Sequence, residues 1–286
     1  MLREIRELGF EYAELSHGIR LSLLPGILDA VAAGEIKIST LHNFCPLPIG
    51  VNHANPNIFK FTSLEPRERE NAWRYTIKTL DTAQQVGARL VVLHMGAVDM
   101  KDYTERLIEL AEAGHRESSK YQRLIDDAME KREAKKERHT EVAYELLHRL
   151  EGEAASRGLL LGIENREAIE EIPFESDFFF FFKEFTSPTI CYWHDTGHAQ
   201  IKENLGFIMH RMHLGAMADR LAGFHIHDVQ YPGRDHRPPG TGCIDFAALK
   251  PYVRPEHIKV FELSPSLSTE EVRGGVAHLK GIWGDE

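Results

Sequence analysis

Residues 189–195 read TICYWHD, an apolar run that stops abruptly at the ionisable Asp195. The same design recurs on both sides of it. KISTLH ends at His42, RLVVLH at His94, LLLGIE at Glu164, AGFHIHD at His225 to Asp228, and IKVFE at Glu262. Near-continuous apolar runs of this length are the signature of strands in a parallel sheet covered on both faces. EYAELSH at residues 11–17 is a weaker strand of the same kind. Helix-like segments separate the runs: RERENAWRYTIKTLDTAQQVGA, a charged stretch from about 101 to 157, SDFFFFFKEF and GFIMHRMHLGAMADR. Alternation of strand and helix implies parallel βα units, and a closed (β/α) barrel of roughly 250 residues would use nearly all of the 286 present. The expectation is one α/β domain over residues 1–286.

Seven strands are legible where such a barrel has eight, and MLREIRELGF already reads as a helix leading into EYAELSH. The expected architecture therefore lacks its first strand or carries a truncated one. The 101–157 stretch is about twice an ordinary crossover, and its interleaved charges predict an extended helical insertion. Five consecutive phenylalanines at 178–182 cannot share one helix face, so some rings should meet another surface.

Composition narrows the partners. A formal net charge of −10 disfavours binding to a phosphate backbone, which needs basic patches. No apolar run approaches the ~20 residues that cross a bilayer. The charged start lacks the apolar core of a secretory signal, and three scattered cysteines fit a reducing compartment. A cytoplasmic location is expected, with no membrane partner.

The polar strand ends carry the chemistry. In a (β/α) barrel the carboxyl ends of all strands converge on one face, so six ionisable ends would meet there. Residues two apart on a strand point the same way, which sends Glu164 with Gly162, and Glu262 with Val260, toward that convergence. Buried carboxylates are costly without a cation or hydrogen-bond donors. Asp195 and His198 stand three apart around Gly197, and His225 and His227 share a strand face, so the deeper of those two can join Glu164, Asp195 and Glu262. One imidazole with three carboxylates suits Mn, Mg, Co or Zn. Arg234 or Arg237, in what reads as a flexible GRDHRPPGTG loop, could hold a substrate hydroxyl or phosphate.

The strings LGIEN, HDTGHA, FHIHD, PPGTGCIDF and KVFEL, in this order, resemble the xylose-isomerase-like TIM barrel superfamily. That superfamily contains sugar and sugar-phosphate isomerases and epimerases, and also zinc-dependent apurinic endonucleases. The resemblance implies that Glu164, Asp195, His225 and Glu262 hold one divalent metal and that the two glutamates move the substrate proton. It further implies that His198 contacts substrate, and His227 is taken with Arg234 as a further candidate substrate contact. His42 and His94 match ligands of an additional zinc in the endonuclease branch, and His198 and His236 match ligands of a third. Where that branch has an aspartate two residues before the latter histidine, this chain has Arg234, with Asp235 one place off.

The resulting expectation is a metal-dependent isomerase or epimerase acting on a sugar, a sugar phosphate or a related polyol or keto compound. Glu164 and Glu262 would act as base and acid through an enediolate. Two alternatives stand beside it: an apurinic-endonuclease-like phosphodiesterase using two or three zincs, and a barrel that binds a metabolite without turning it over. A homo-oligomer is compatible with such a family, and nucleic acid is disfavoured by the charge.

Overall fold

The computed structural model describes residues 2–284. In chain order the elements are α1 (Leu2–Glu7), β1 (Tyr12–Leu15), α2 (Leu24–Ala32), β2 (Lys37–His42), α3 (Pro66–Val86) and β3 (Leu90–Leu93). There follow α4 (Thr104–Glu112), α5 (Ser119–Ser156), β4 (Leu160–Glu164), α6 (Phe178–Glu184), β5 (Ile190–Asp195), α7 (Thr196–Leu205) and α8 (His210–Met217). The chain continues through β6 (Leu221–Ile226), β7 (Asp228–Gln230), β8 (Arg234–Arg237), α9 (Phe246–Leu249), β9 (Ile258–Phe261) and α10 (Thr269–Trp283). Seven strands form one sheet in the order β1-β2-β3-β4-β5-β6-β9, and β7 and β8 form a separate antiparallel pair. Every strand expected from the apolar runs is present, and α1 occupies the expected opening helix, of which Met1 lies outside the described residues. No helix among the described residues is long and apolar enough to cross a membrane.

Two compact units divide the chain. The first comprises Met1–Ala97, Glu137–Glu164 and Phe182–Cys191. Within it β1, β2, β3 and β4 pair in parallel, with Thr40 opposite Leu90 and Val92 opposite Gly162. Leu90, Val91, Val92 and Leu93 are all fully buried, as expected for a strand covered on both faces. Helix α3 starts on Pro66, whose fixed φ suits the first helical position, and stops where Gly87 adopts φ +71 and its N–H returns to Ala83 and Gln84.

The second unit comprises Val98–Lys136, Asn165–Phe181 and Tyr192–Glu286. Here β5 pairs in parallel with β6 and β6 with β9. Strand β9 is half-buried along its length, in keeping with its place at the end of the sheet, whereas β5 is buried throughout. Trp193 lies over Gly223, where any Cβ would come within 2.5 Å of its ring. Phe178 and Phe181 are buried while Phe179 and Phe180 stay 59% and 67% exposed, so the phenylalanine run splits between core and surface as helix geometry requires.

After Asp195 the chain enters α7 at once, with the Asp195 side chain accepting from the His198 N–H as its N-cap. The GRDHRPPGTG segment is not a free loop, because Arg234–Arg237 pairs with Asp228–Gln230 as a hairpin strand. Asp228 closes the segment by accepting N–H bonds from Gly240, Gly242 and Ile244.

Candidate metal centres

In the first unit the carboxyl ends of β2, β3 and β4 bring His42, His94 and Glu164 together. His94 Nε2 lies 2.6 Å from Glu164 Oε2, with both side chains at 2% exposure or less. The His42 and His94 rings meet edge to face at 4.6 Å, and His17 packs on His42 at 4.9 Å. One donor atom from each of His42, His94 and Glu164 falls within a 4.8 Å group. Two imidazoles and a carboxylate at that spacing could hold a divalent metal ion.

In the second unit β5, β6 and β9 deliver Asp195, His225 and Glu262. His225 is fully buried, with its Nδ1 3.0 Å from Glu262 Oε2 and 4.0 Å from Asp195 Oδ2. Glu262 directly follows β9 and keeps its side chain 34% exposed, so one end of this group faces solvent. Asp195 is held on every side. Its backbone N–H donates to Asn165 Oδ1, its carbonyl accepts from Asn165 Nδ2, and Oδ1 accepts from the His198 N–H at 2.7 Å. A carboxylate at zero exposure is costly unless a cation or several donors meet it.

His198 projects from the first turn of α7. Its Nδ1 lies 3.2 Å from Arg166 Nη1 and 3.1 Å from the Asn165 carbonyl. Arg166 is itself buried and braced by Glu171. Asn165, Arg166 and Glu171 are absent from the sequence-level candidates, although Asn165 and Arg166 directly follow the strand-end Glu164. A polar residue immediately after a polar strand end was the signal available.

The remaining candidates fall as follows. Arg234 is largely exposed and paired with Glu112 at 3.3 Å. His236 stacks on His227 at 4.4 Å and its Nδ1 bonds the Glu262 carbonyl, so it groups with His227 and Glu262. Asp235, displaced by one position from the endonuclease pattern, gathers with Glu167 and His198. His227, a candidate substrate contact in the sequence, is fully buried; its Nε2 lies 3.1 Å from the Asp195 carboxylate, and its Nδ1 receives the His236 N–H at 3.0 Å. Both ring nitrogens are therefore engaged within the protein. The His236 N–H aimed at Nδ1 requires that nitrogen to be bare, which places the ring proton on Nε2.

Seven sheet strands joined by helices define a (β/α)-barrel protein, and the His, Asp and Glu gathered at its strand ends form groups that could hold a metal ion. The model of the xylose isomerase-like TIM barrel family matches residues 2–255, and the chain belongs to that family. No curated protein sequence matches it. Among solved structures, 3-keto-D-glucoside 4-epimerase from E. coli is 16% identical, with TM-score 0.67 over 98% of this chain and 92% of that one. A D-tagatose 3-epimerase-like protein is 15% identical, with TM-score 0.68 over 98% and 91%. D-psicose 3-epimerase from Clostridium cellulolyticum H10, solved with D-tagatose, is 13% identical, with TM-score 0.66 over 99% and 92%.

Proposed function

We propose that this chain, working as one domain over residues 1–286, is a divalent-metal-dependent isomerase or epimerase of a sugar, sugar phosphate or related polyol or keto compound. The observation that carries the reading is the buried His225 imidazole with the Asp195 and Glu262 carboxylates turned toward its Nδ1. Glu164, at the end of its own strand, completes the donor set. Carboxylate oxygens with one imidazole nitrogen fit Mn, Mg, Co or Zn. His42 and His94, grouped with Glu164, suit a second ion, for which zinc is the best match.

When bound there, the divalent ion supplies Lewis-acid polarisation of a carbonyl and its neighbouring hydroxyl, which acidifies the hydrogen on the carbon between them. Glu164 and Glu262 then act as the proton-transfer pair, one removing that hydrogen and the other returning a proton to the resulting enediolate. Return to the same carbon from the other face inverts it. Return to the adjacent carbon isomerises the sugar. Glu164 is almost fully buried and braced by His94, while Glu262 keeps access to solvent, so the two differ in how readily they exchange protons with water. His198, its Nδ1 held between Arg166 and the Asn165 carbonyl, offers its other ring nitrogen as a hydrogen-bonding edge toward the substrate. Arg234 reaches a substrate hydroxyl or phosphate only by leaving Glu112.

The test is metal analysis of the purified protein joined to deuterium incorporation at carbon from a panel of ketoses and ketose phosphates in heavy water. Bound metal with exchange supports the reading and identifies the substrate class. Two or three zincs without exchange transfer the weight to phosphodiester hydrolysis, and metabolite binding without metal or exchange leaves a non-catalytic barrel.

A further inference from the structure

We infer that His227 is a positioning residue, which aims the Asp195 carboxylate through a hydrogen-bond relay beginning at the backbone of the β7–β8 hairpin. The inference rests on the metal reading proposed above for Asp195.

The relay has a direction. The His236 N–H can only donate, and it points at His227 Nδ1 from 3.0 Å. That nitrogen must accept, so the ring proton lies on Nε2, which is 3.1 Å from both Asp195 oxygens. His236 itself adopts φ +51, an uncommon conformation for a residue with a side chain, and its ring stacks on His227 at 4.4 Å. Its Nδ1 bonds the Glu262 carbonyl. One hairpin residue thus touches the backbone of one candidate ligand and, through His227, the side chain of another.

Room for the relay is reserved in α7. A Cβ on Gly197 would stand 2.0 Å from His227 Cε1 and 2.4 Å from Nδ1, so no residue but glycine fits there while the ring keeps its place. Thr196 closes the remaining side: its Oγ1 donates to the His227 carbonyl at 2.8 Å, while the His227 N–H lies 3.1 Å from the same oxygen. The central three residues of HDTGH are therefore one device. Asp195 is the group being aimed, Thr196 holds the His227 backbone, and Gly197 makes space for its ring.

A carboxylate that is free to rotate loses part of its metal affinity, and partners that orient metal ligands are typically worth 10–100-fold. The competing account is that His227 is itself a ligand, since it groups with Asp195 and His198 and also with His236 and Glu262. Two substitutions separate the accounts. In His227→Gln the amide can accept from the His236 N–H and donate to Asp195, reproducing the relay without an imidazole. In His227→Phe the ring volume is retained and both hydrogen bonds are lost.

The experiment is Co²⁺ titration, by calorimetry and visible absorption, of the metal-stripped full chain and both variants, with thermal unfolding as the check on folding. The expected result is a 10–100-fold weaker Co²⁺ affinity in His227→Phe, largely recovered in His227→Gln. Equal affinity in wild type and His227→Phe overturns the relay, and equal loss in both variants overturns it in favour of direct ligation. Because His227→Phe can fail to fold, ¹⁵N-histidine NMR of the metal-free wild type provides a second arm: a His227 signal with Nδ1 protonated overturns the inference, and the Nε2–H tautomer supports it. Failure of wild type to bind Co²⁺ at all sinks the metal reading beneath it, an outcome distinct from the others.

Discussion

Glu164 and Glu262 stand in the sequence as equivalent strand-end carboxylates, yet their side chains are 1% and 34% exposed. Alternation along a strand states which way each points, but the depth at which a strand ends is set by its neighbours. Replacement of Glu262 by Gln keeps the shape of the side chain and removes its capacity to carry a proton. The expected outcome at saturating metal is a loss of deuterium exchange of about 10²–10⁴-fold with an unaltered circular dichroism spectrum. Exchange at the wild-type rate would remove Glu262 from the proton-transfer pair. Gly197 illustrates the reverse limit of sequence reading: it reads as a turn residue between Asp195 and His198, and its real constraint is a ring 30 positions further along the chain.

At the level of elements, the 101–157 insertion was legible because helix-forming residues with mixed charge run through it, and α4 and α5 occupy it as expected. Its one fully buried guanidinium was not. Arg132 sits in KREAKKER among residues that all read as solvated, yet its Nε donates to the Ile169 carbonyl and its Nη2 to Asp177 at 2.7 Å and to the Glu171 carbonyl. Burial works against ionised Asp177, and the charge of Arg132 together with hydrogen bonds from Lys136 and Arg132 outweighs it to hold its pKa below the usual value. Substitution of Arg132 by Met should reduce the unfolding free energy by about 1–3 kcal/mol, because it strands the Ile169 and Glu171 carbonyls while Asp177 keeps Lys136 as a partner. Urea denaturation measures this, and a change within experimental error would show that water replaces the guanidinium. The β7–β8 hairpin was missed for a related reason: GRDHRPPGTG has the composition of a loop, and its order comes from Asp228, which collects the N–H groups of residues 240, 242 and 244.

Across the whole molecule, a buried histidine network sets the acid limit of stability. Tyr192 Oη lies 2.8 Å from both His194 Nδ1 and His213 Nε2, His194 Nε2 lies 2.9 Å from His210 Nε2, and Gln200 Oε1 accepts from His210 Nδ1. Burial pushes the pKa of His210 down to about 4 and that of His213 to about 3, so both are neutral when folded. Their folded pKa values lie below the unfolded value near 6.5. Their contribution is therefore complete above about pH 6.5 and is lost as pH falls toward 4 and 3, by roughly 1.4 kcal/mol per pH unit for each histidine inside that window. Unfolding free energies of metal-stripped protein at pH 7, 6 and 5 should show this slope, with His213→Phe reducing it by one proton. A flat profile between pH 7 and 5 would mean that the network takes up protons without opening.

What the sequence determined by itself was the order of strands and the residue types at their carboxyl ends, because apolar runs and their polar stops are local features of the chain. It also identified the family through motifs that stand at those stops. Which groups each buried histidine meets was decided only by tertiary structure. His225 and His227 read alike in the sequence, the same residue type two positions apart, but the strand ends at Ile226, and it is the His227 ring that Gly197 and the His236 N–H, brought in from other segments, enclose.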